Sequence, residues 1–308
     1  MTSTAAVSIQ KSTTVRASRR TSQYAALRTT FAVLDRFAPA AGGRLAVRIW
    51  CTVPQSNGSR RDDRPIPGLT APQNEVSTVT LSGGRRVVVE TWGDGTPVYL
   101  VHGWGGWRGQ LGNFVEPLAA RGHRVVAFDA PSHGESGPGR YGPRRTTGLE
   151  MMEALQEVVG AYGRPAAVVA HSLGAATTAW AFSDVVGEGI APPARLALIA
   201  PTLGPVPHIQ AMARLFGFSE RTQRAMRHRL ESMLGRPIDD FDVLKVGPDM
   251  PQTVIVHDRR DKEVAFAEAQ QIAAAWPRAH LTSTDGLGHQ RILRDPGVVS
   301  KVVEFVTS

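Results

Sequence analysis

Short apolar runs alternating with helical stretches constrain this chain more than any other feature. The runs "PVYLV" (97–101), "RVVAF" (124–128), "AAVVAH" (166–171), "RLALI" (195–199) and "TVIVH" (253–257) are rich in β-branched residues, and "AHLTSTDG" follows at 279–286. Runs of this length and composition are buried strands rather than helices. Helical stretches over 113–120, 147–162 and behind each later run supply the crossovers that parallel strands need. Ahead of them, 76–81 and 86–91 pair as a hairpin about Ser82-Gly83-Gly84. The expectation is an α/β fold, a mostly parallel eight-stranded sheet with helices on both faces.

With 308 residues, 42% of them hydrophobic and 20% charged, the chain is globular and long enough for one large domain or two small ones. The net charge of +8 is unevenly placed: residues 1–70 hold 11 Lys and Arg against 3 Asp and Glu, whereas 71–308 hold 24 of each. The neutral body gives no electrostatic reason to expect a nucleic-acid partner. A weak contact of the basic N-terminus with a membrane surface is the expectation that remains.

Residues 1–22, Ser/Thr/Arg-rich and without an acidic side chain, read as a disordered basic tail rather than an organelle transit peptide. Residues 23–53 read as an N-terminal helical segment. Tyr24, Leu27, Phe31, Leu34 and Phe37 recur at helical spacing, and Pro39 with Gly42-Gly43 interrupts them before a second short helix. Residues 54–74 form a Pro/Gly/Ser-rich linker, and 75–308 the main domain. No apolar run approaches the roughly 18–20 residues that span a bilayer and no secretory h-region is present, so a cytoplasmic location is expected. Cys51 is the single cysteine and cannot form an intramolecular disulfide.

The stretch "VVAHSLGAATTAW" (168–180) changes period at a serine. A strand that turns directly into a helix needs small residues around the turning position, and Ala170 and Gly174 flank Ser172 at two residues either side. This is the small-x-Ser-x-small form of a nucleophile elbow; the plain alternative is a serine capping a helix. Parallel sheets gather reactive groups at the carboxyl ends of their strands. There the sequence places His102-Gly103-Trp104-Gly105-Gly106, Ser172, Asp258, Asp261 and His289. A serine hydroxyl needs a base to take its proton and an acid to orient that base. The order is Ser, Asp, His, at successive offsets of 89 and 28 positions if Asp261 is the acid. Asp258 competes for that position.

At these residues the sequence resembles the α/β-hydrolase superfamily, and within it the serine esterase-like members. "VHGWGG" is similar to the oxyanion-hole loop, "FDAPSHGES" to the D-x-P-x-H-G-x-S turn, "AHSLG" to the elbow, "VHDRRDKEV" to the acid loop and "GLGHQRIL" to the histidine loop. The resemblance covers about 76–305. It implies Ser172 as nucleophile, His289 as general base then acid, Asp261 in preference to Asp258 as the orienting carboxylate, and the backbone N–H groups of Trp104 and Leu173 as oxyanion donors. The implied function is hydrolysis of a carboxylic ester of a small, mainly apolar substrate through an acyl-enzyme, without a cofactor. An acyltransferase or thioesterase could use the same triad. The fold also hosts non-catalytic binding proteins, whose usual sign, loss of the serine or histidine, is not found here. Asp129 and His133 are expected to stabilise their turn, His102 to brace its loop, and His171 to pack beside the serine. No Cys/His/Asp cluster suggests a metal, and neither a dinucleotide G-x-G-x-x-G nor a Walker loop occurs.

The insert at about 201–251 should select the substrate. "HIQAMARLFGFSERTQRAMRHRLESML" (208–234) carries apolar residues on helical faces between arginines and reads as a small helical cap. Met212 and Phe216 are its candidate pocket residues. The arginines read as a solvated face, because Glu220, Glu231, Asp239, Asp240 and Asp242 are near in sequence.

Overall fold

A computed structural model describes residues 24–54 and 74–308. The expected basic tail lies outside the described residues, as does the linker apart from its two end residues. Strands β1 (Asn74–Thr80), β2 (Arg86–Trp92), β3 (Pro97–Val101), β4 (Arg124–Phe128), β5 (Ala167–His171), β6 (Arg195–Ile199), β7 (Gln252–Asp258) and β8 (Ala279–Thr284) form one sheet. Helices α1 (24–37), α2 (Pro39–Trp50), α3 (Val115–Ala119), α4 (Gly148–Tyr162) and α5 (Leu173–Ala181) are followed by α6 (Pro205–Phe216) and α7 (Glu220–Leu234). The last three are α8 (Phe266–Ala275), α9 (Gly288–Arg291) and α10 (Pro296–Thr307). The chain divides into two compact units, the smaller from residues up to Trp50 with Pro205–Ile238, the larger from Cys51–Gly204 with Asp239–Ser308.

In the larger unit the strand order is β1-β2-β4-β3-β5-β6-β7-β8. The β1–β2 and β2–β4 pairs are antiparallel and the rest parallel. β3 and β5 are buried along their whole length, which is why neither alternates apolar with polar residues. Every second residue faces the same way: Val98, Leu100, Val169, Ile199 and Val256 pack with Phe114, Leu118, Val302 and Val303. Each such fully buried aliphatic side chain contributes about 1.5–3 kcal/mol. Helix starts follow local chemistry, since the Thr147 hydroxyl accepts from Glu150 N–H at the head of α4 and the Asp295 carboxylate from Val298 N–H at the head of α10.

The smaller unit joins α1 and α2 to α6 and α7. The N-terminal segment and the cap insert, read from sequence as separate pieces, therefore fold together. The Phe31 ring is fully buried, 4.8 Å from that of Phe218 and 6.0 Å from that of Phe216. Arg28 Nη1 donates to Leu215 O (3.0 Å), and the Asp35 carboxylate accepts from the Ser219 N–H (2.6 Å) and hydroxyl (2.9 Å). The chain does break into two helices at Pro39 as expected, α1 ending just before it, but Gly42 and Gly43 add no further break. Pro39 is the first residue of α2 and the glycines lie inside it. Their lack of a Cβ is what lets α2 meet α7, because a Cβ on Gly43 would come within 2.7 Å of Ala225 backbone carbon and Cβ. The helical part of the insert is also shorter than 201–251. Residues 239–251 belong to the larger unit, where Phe241 packs edge-on to Trp180 at 5.2 Å and Trp276 Nε1 donates to Val243 O at 3.1 Å.

Gly43→Ala tests this packing. Alanine is the better helix former by about 1 kcal/mol, yet overpacking against a backbone costs about 1–3 kcal/mol. A lower urea unfolding midpoint is expected; an unchanged or raised midpoint contradicts the close helix contact.

Candidate active site

β5 delivers Ser172 to the carboxyl edge of the sheet and α5 begins at the next residue. The Ser172 backbone has φ 54° and ψ −125°, a strained conformation that costs of the order of 1–3 kcal/mol. The turn is tight enough that a Cβ on Gly174 would lie 2.4 Å from His102 O, and one on Gly103 2.9 Å from Ser172 Cβ. Those two glycines bring the 102–106 loop against the serine. Leu173 N–H is among the N–H groups that a helix start leaves without an intrahelical partner. Among the described residues, neither it nor Trp104 N–H donates to a protein acceptor.

His289 follows two glycines with positive φ, Gly286 (89°) and Gly288 (67°), and sits in the short α9. Its Nε2 is 3.0 Å from Ser172 Oγ and its Nδ1 2.7 Å from Asp261 Oδ2. The bond to Asp261 puts the proton on Nδ1 and turns the Nε2 lone pair to the serine hydroxyl. Asp261 Oδ1 accepts the N–H groups of Glu263 (2.8 Å) and Val264 (3.0 Å). His257 Nε2 lies 3.3 Å from Asp261 Oδ2 while donating to Val264 O at 3.2 Å. Burial works to raise the Asp261 pKa, but the donors from His257, His289 and the two amides hold it well below the usual carboxylate range.

Of the two candidate acids, Asp261 is the one that meets His289. Asp258 holds the loop that carries the histidine: it accepts from the Thr284 hydroxyl (2.7 Å), Leu287 N–H (2.9 Å) and Gly286 N–H (3.2 Å). Burial opposes these bonds, and they still lower its pKa to about 2. His171 packs its ring 4.6 Å from that of His289 and bonds His289 O through Nε2 at 3.0 Å.

The loop facing Ser172 has its own scaffold. His102 Nδ1–H donates to Gly103 O (2.7 Å) while its Nε2 accepts from Ala130 N–H (3.0 Å). His133 Nε2 accepts from Gly105 N–H and its Nδ1–H donates to Pro131 O, both at 3.0 Å. Asp129 accepts from Arg108 N–H and Nη1 (both 2.6 Å) and from Glu135 N–H (2.9 Å). Arg108 also reaches Glu90 through Nε at 2.8 Å. Sequence reasoning missed the Arg108–Glu90 part of this network, whose members are joined only by the sheet, and missed His257 beside Asp261.

The structure places both candidate pocket residues, Met212 and Phe216, among the buried side chains of the smaller unit. Phe216 is buried against Tyr24 (5.8 Å) and Phe31 inside the smaller unit, and Met212 is buried with it. A cavity of about 270 Å³ in that unit is lined by residues including Val206, Ile209, Gln223 and Ile238. Phe216 holds helices together because α1, which the sequence set apart from the insert, covers it. Among the described residues no group of His, Cys, Asp and Glu is arranged to hold a metal ion, and no helix is long and apolar enough to cross a membrane.

Residues 98–302 match the Alpha/beta hydrolase family, and the chain belongs to it. An esterase from Pyrococcus furiosus is similar in fold with a TM-score of 0.60 and 20% identity, over 83% of this chain and 96% of its own. An esterase from Exiguobacterium antarcticum gives a TM-score of 0.58 and 18% identity, over 76% of this chain and 100% of its own. A non-heme chloroperoxidase from Streptomyces lividans is 33% identical over 105 residues, 32% of this chain and 36% of that protein. A non-heme haloperoxidase from Rhodococcus erythropolis is 39% identical over 62 residues, 19% of this chain and 21% of that protein. The chain thus spans about a third or less of the length of these two curated relatives.

The buried histidines set a pH dependence. Burial lowers the pKa of His102 from 6.5 to about 4, and burial with neighbouring histidines lowers those of His133 and His171 to about 3. The unfolded chain then binds protons that the folded protein refuses, so stability is lost as pH falls from about 6.5 towards about 3. The depressed carboxylates act in a separate, lower window, their stabilisation present above about 3.8 and lost below it. The urea midpoint should fall steadily between about pH 7 and about pH 4, with proton uptake on unfolding; a flat midpoint contradicts neutral buried histidines.

Proposed function

We propose that the protein is a serine hydrolase that cleaves carboxylic esters of small, mainly apolar substrates through an acyl-enzyme. The observation that carries this reading is the continuous hydrogen-bonded line from Ser172 Oγ through His289 to Asp261, at 3.0 and 2.7 Å. Ser172 Oγ attacks the ester carbonyl carbon while His289 Nε2 takes the hydroxyl proton, and Asp261 stabilises the imidazolium that forms. The carbonyl oxygen becomes an oxyanion, for which Leu173 N–H and Trp104 N–H are the donors; each such donor is worth about 3–4 kcal/mol of transition-state stabilisation. The imidazolium returns its proton to the departing alkoxide, which leaves as the alcohol. Water then attacks the acyl-serine, giving its proton to His289, and the carboxylic acid is released with Ser172 restored. No step needs a cofactor.

Replacement of each group separates their roles. Ser172→Ala should keep the fold, lose fluorophosphonate labelling and lose about 10⁶-fold in kcat on p-nitrophenyl butyrate. Asp261→Asn should lose about 10⁴-fold through the wrong histidine tautomer. Asp258→Asn should mainly lower thermal stability, with a much smaller kcat loss. Ester turnover near wild-type in Ser172→Ala, or a larger kcat loss for Asp258→Asn than for Asp261→Asn, overturns the assignment.

A further inference from the structure

The two units differ in charge. The described part of the smaller unit holds ten arginines against three acidic residues, whereas that of the larger holds 18 basic against 22 acidic residues. All three acids of the smaller unit are already engaged: Asp35 by Ser219, Glu220 by Arg224, and Glu231 by Arg227. Exposed Arg44, Arg214, Arg221 and Arg229 make no ion pair among the described residues.

The same unit gathers exposed apolar side chains. Of six large hydrophobic residues exposed in the described chain, four lie here: Phe37 (75%), Val33 (53%), Leu215 (48%) and Tyr24 (41%). α1 is apolar on two sides. Leu27, Phe31 and Leu34 lie towards its packed face, while Ala26, Thr30, Val33 and Phe37 recur at helical spacing along an exposed stripe. The Arg36 guanidinium lies 5.7 Å from the Phe37 ring centroid, placing a cation beside the most exposed aromatic residue. An exposed Phe–Val stripe with Arg36 beside it, on a unit that carries an excess of arginine, has the chemistry of a helix that lies in a lipid interface.

We propose that the smaller unit docks this protein on an anionic phospholipid surface, Val33 and Phe37 entering the boundary between headgroups and acyl chains while arginines meet the phosphates. A purely acidic protein partner would match the charge but leave the Phe–Val stripe unexplained. The attraction is long-range and screened by salt, and the apolar contact is short-range and insensitive to it. This role is independent of the hydrolytic chemistry.

The test is co-sedimentation of the full chain with vesicles of phosphatidylcholine alone or with about a third phosphatidylglycerol. Binding to the anionic vesicles should be about tenfold tighter than to neutral ones and should weaken at high salt. Val33→Ser/Phe37→Ser should weaken it by about tenfold without lowering the melting temperature, because both side chains are exposed. Arg44→Glu/Arg221→Glu should weaken binding to the anionic vesicles only. Deletion of residues 1–22 should leave most of the binding in place. The proposal is overturned by no binding to either vesicle, equal binding to both, full binding by the Val33/Phe37 variant, or loss of all binding on deleting 1–22. It is equally overturned if polyglutamate beads retain wild type and that variant alike while neither sediments with vesicles.

Discussion

The backbone at Ser172, held at φ 54°, and the approach of Gly174 to the end of β3 are two sides of one constraint. α5 can start immediately after β5 only if its first turn comes nearly into contact with the His102 carbonyl, and any side chain at residue 174 would block that approach. The strain is held by its surroundings. Ser172 N–H bonds Ile199 O at 2.9 Å, and the strands on either side of β5 are buried. The end of β6 repeats the device, since Ala200 also has positive φ (48°) and its N–H bonds Val256 O at 2.8 Å. Two successive strand ends are thus curled in the same way, and the serine hydroxyl is presented at the edge where the 102–106 loop arrives.

Against that rigid serine the histidine must be held as firmly, and two carboxylates three residues apart divide the task. Asp258 fastens the 284–287 turn to the end of β7, while Asp261 orients the imidazole itself. Neither could do both: Asp258 is engaged by the Thr284 hydroxyl and by backbone N–H groups, whereas Asp261 keeps one oxygen on amides of its own loop and turns the other to His289 and His257. Burial raises the cost of each charge, so the donors are what allow two ionised groups to coexist so near one another. His171 adds a third restraint by bonding the His289 main chain, which fixes the ring from behind as well as from the side.

How much of this could be read from the sequence depended on whether the signal was local. Ser172, Asp261 and His289 stood out because each follows a recognisable strand, and the sheet turns sequence order into spatial nearness. The helical spacing of Met212 and Phe216 says that one face is apolar without saying what covers it; α1, about 190 residues away, covers Phe216. Gly42 and Gly43 misled for the same reason: glycine marks both a helix break and a close helix contact, and Ala225 is what distinguishes them. The Arg108–Glu90 bond left no local trace, since a strand and a separate loop bring its partners within reach, whereas His257 lies only four residues before Asp261 and was missed because spacing alone does not show that the loop turns its ring back to that carboxylate.

Charge followed the same pattern. Counted along the chain, the arginines of the insert were offset by Asp239, Asp240 and Asp242 immediately behind them, and everything after residue 70 was neutral. The fold assigns these groups to different units. The arginines stay with α1 and α2, the aspartates belong to the sheet-bearing unit, and a neutral stretch of sequence becomes one basic and one acidic body. The N-terminal helices and the insert have to be considered as one object, because the aromatic contacts among Tyr24, Phe31, Phe216 and Phe218 leave neither piece a complete apolar core of its own. The insert's helices α6 and α7 thus take a packing that α1 and α2 help to impose.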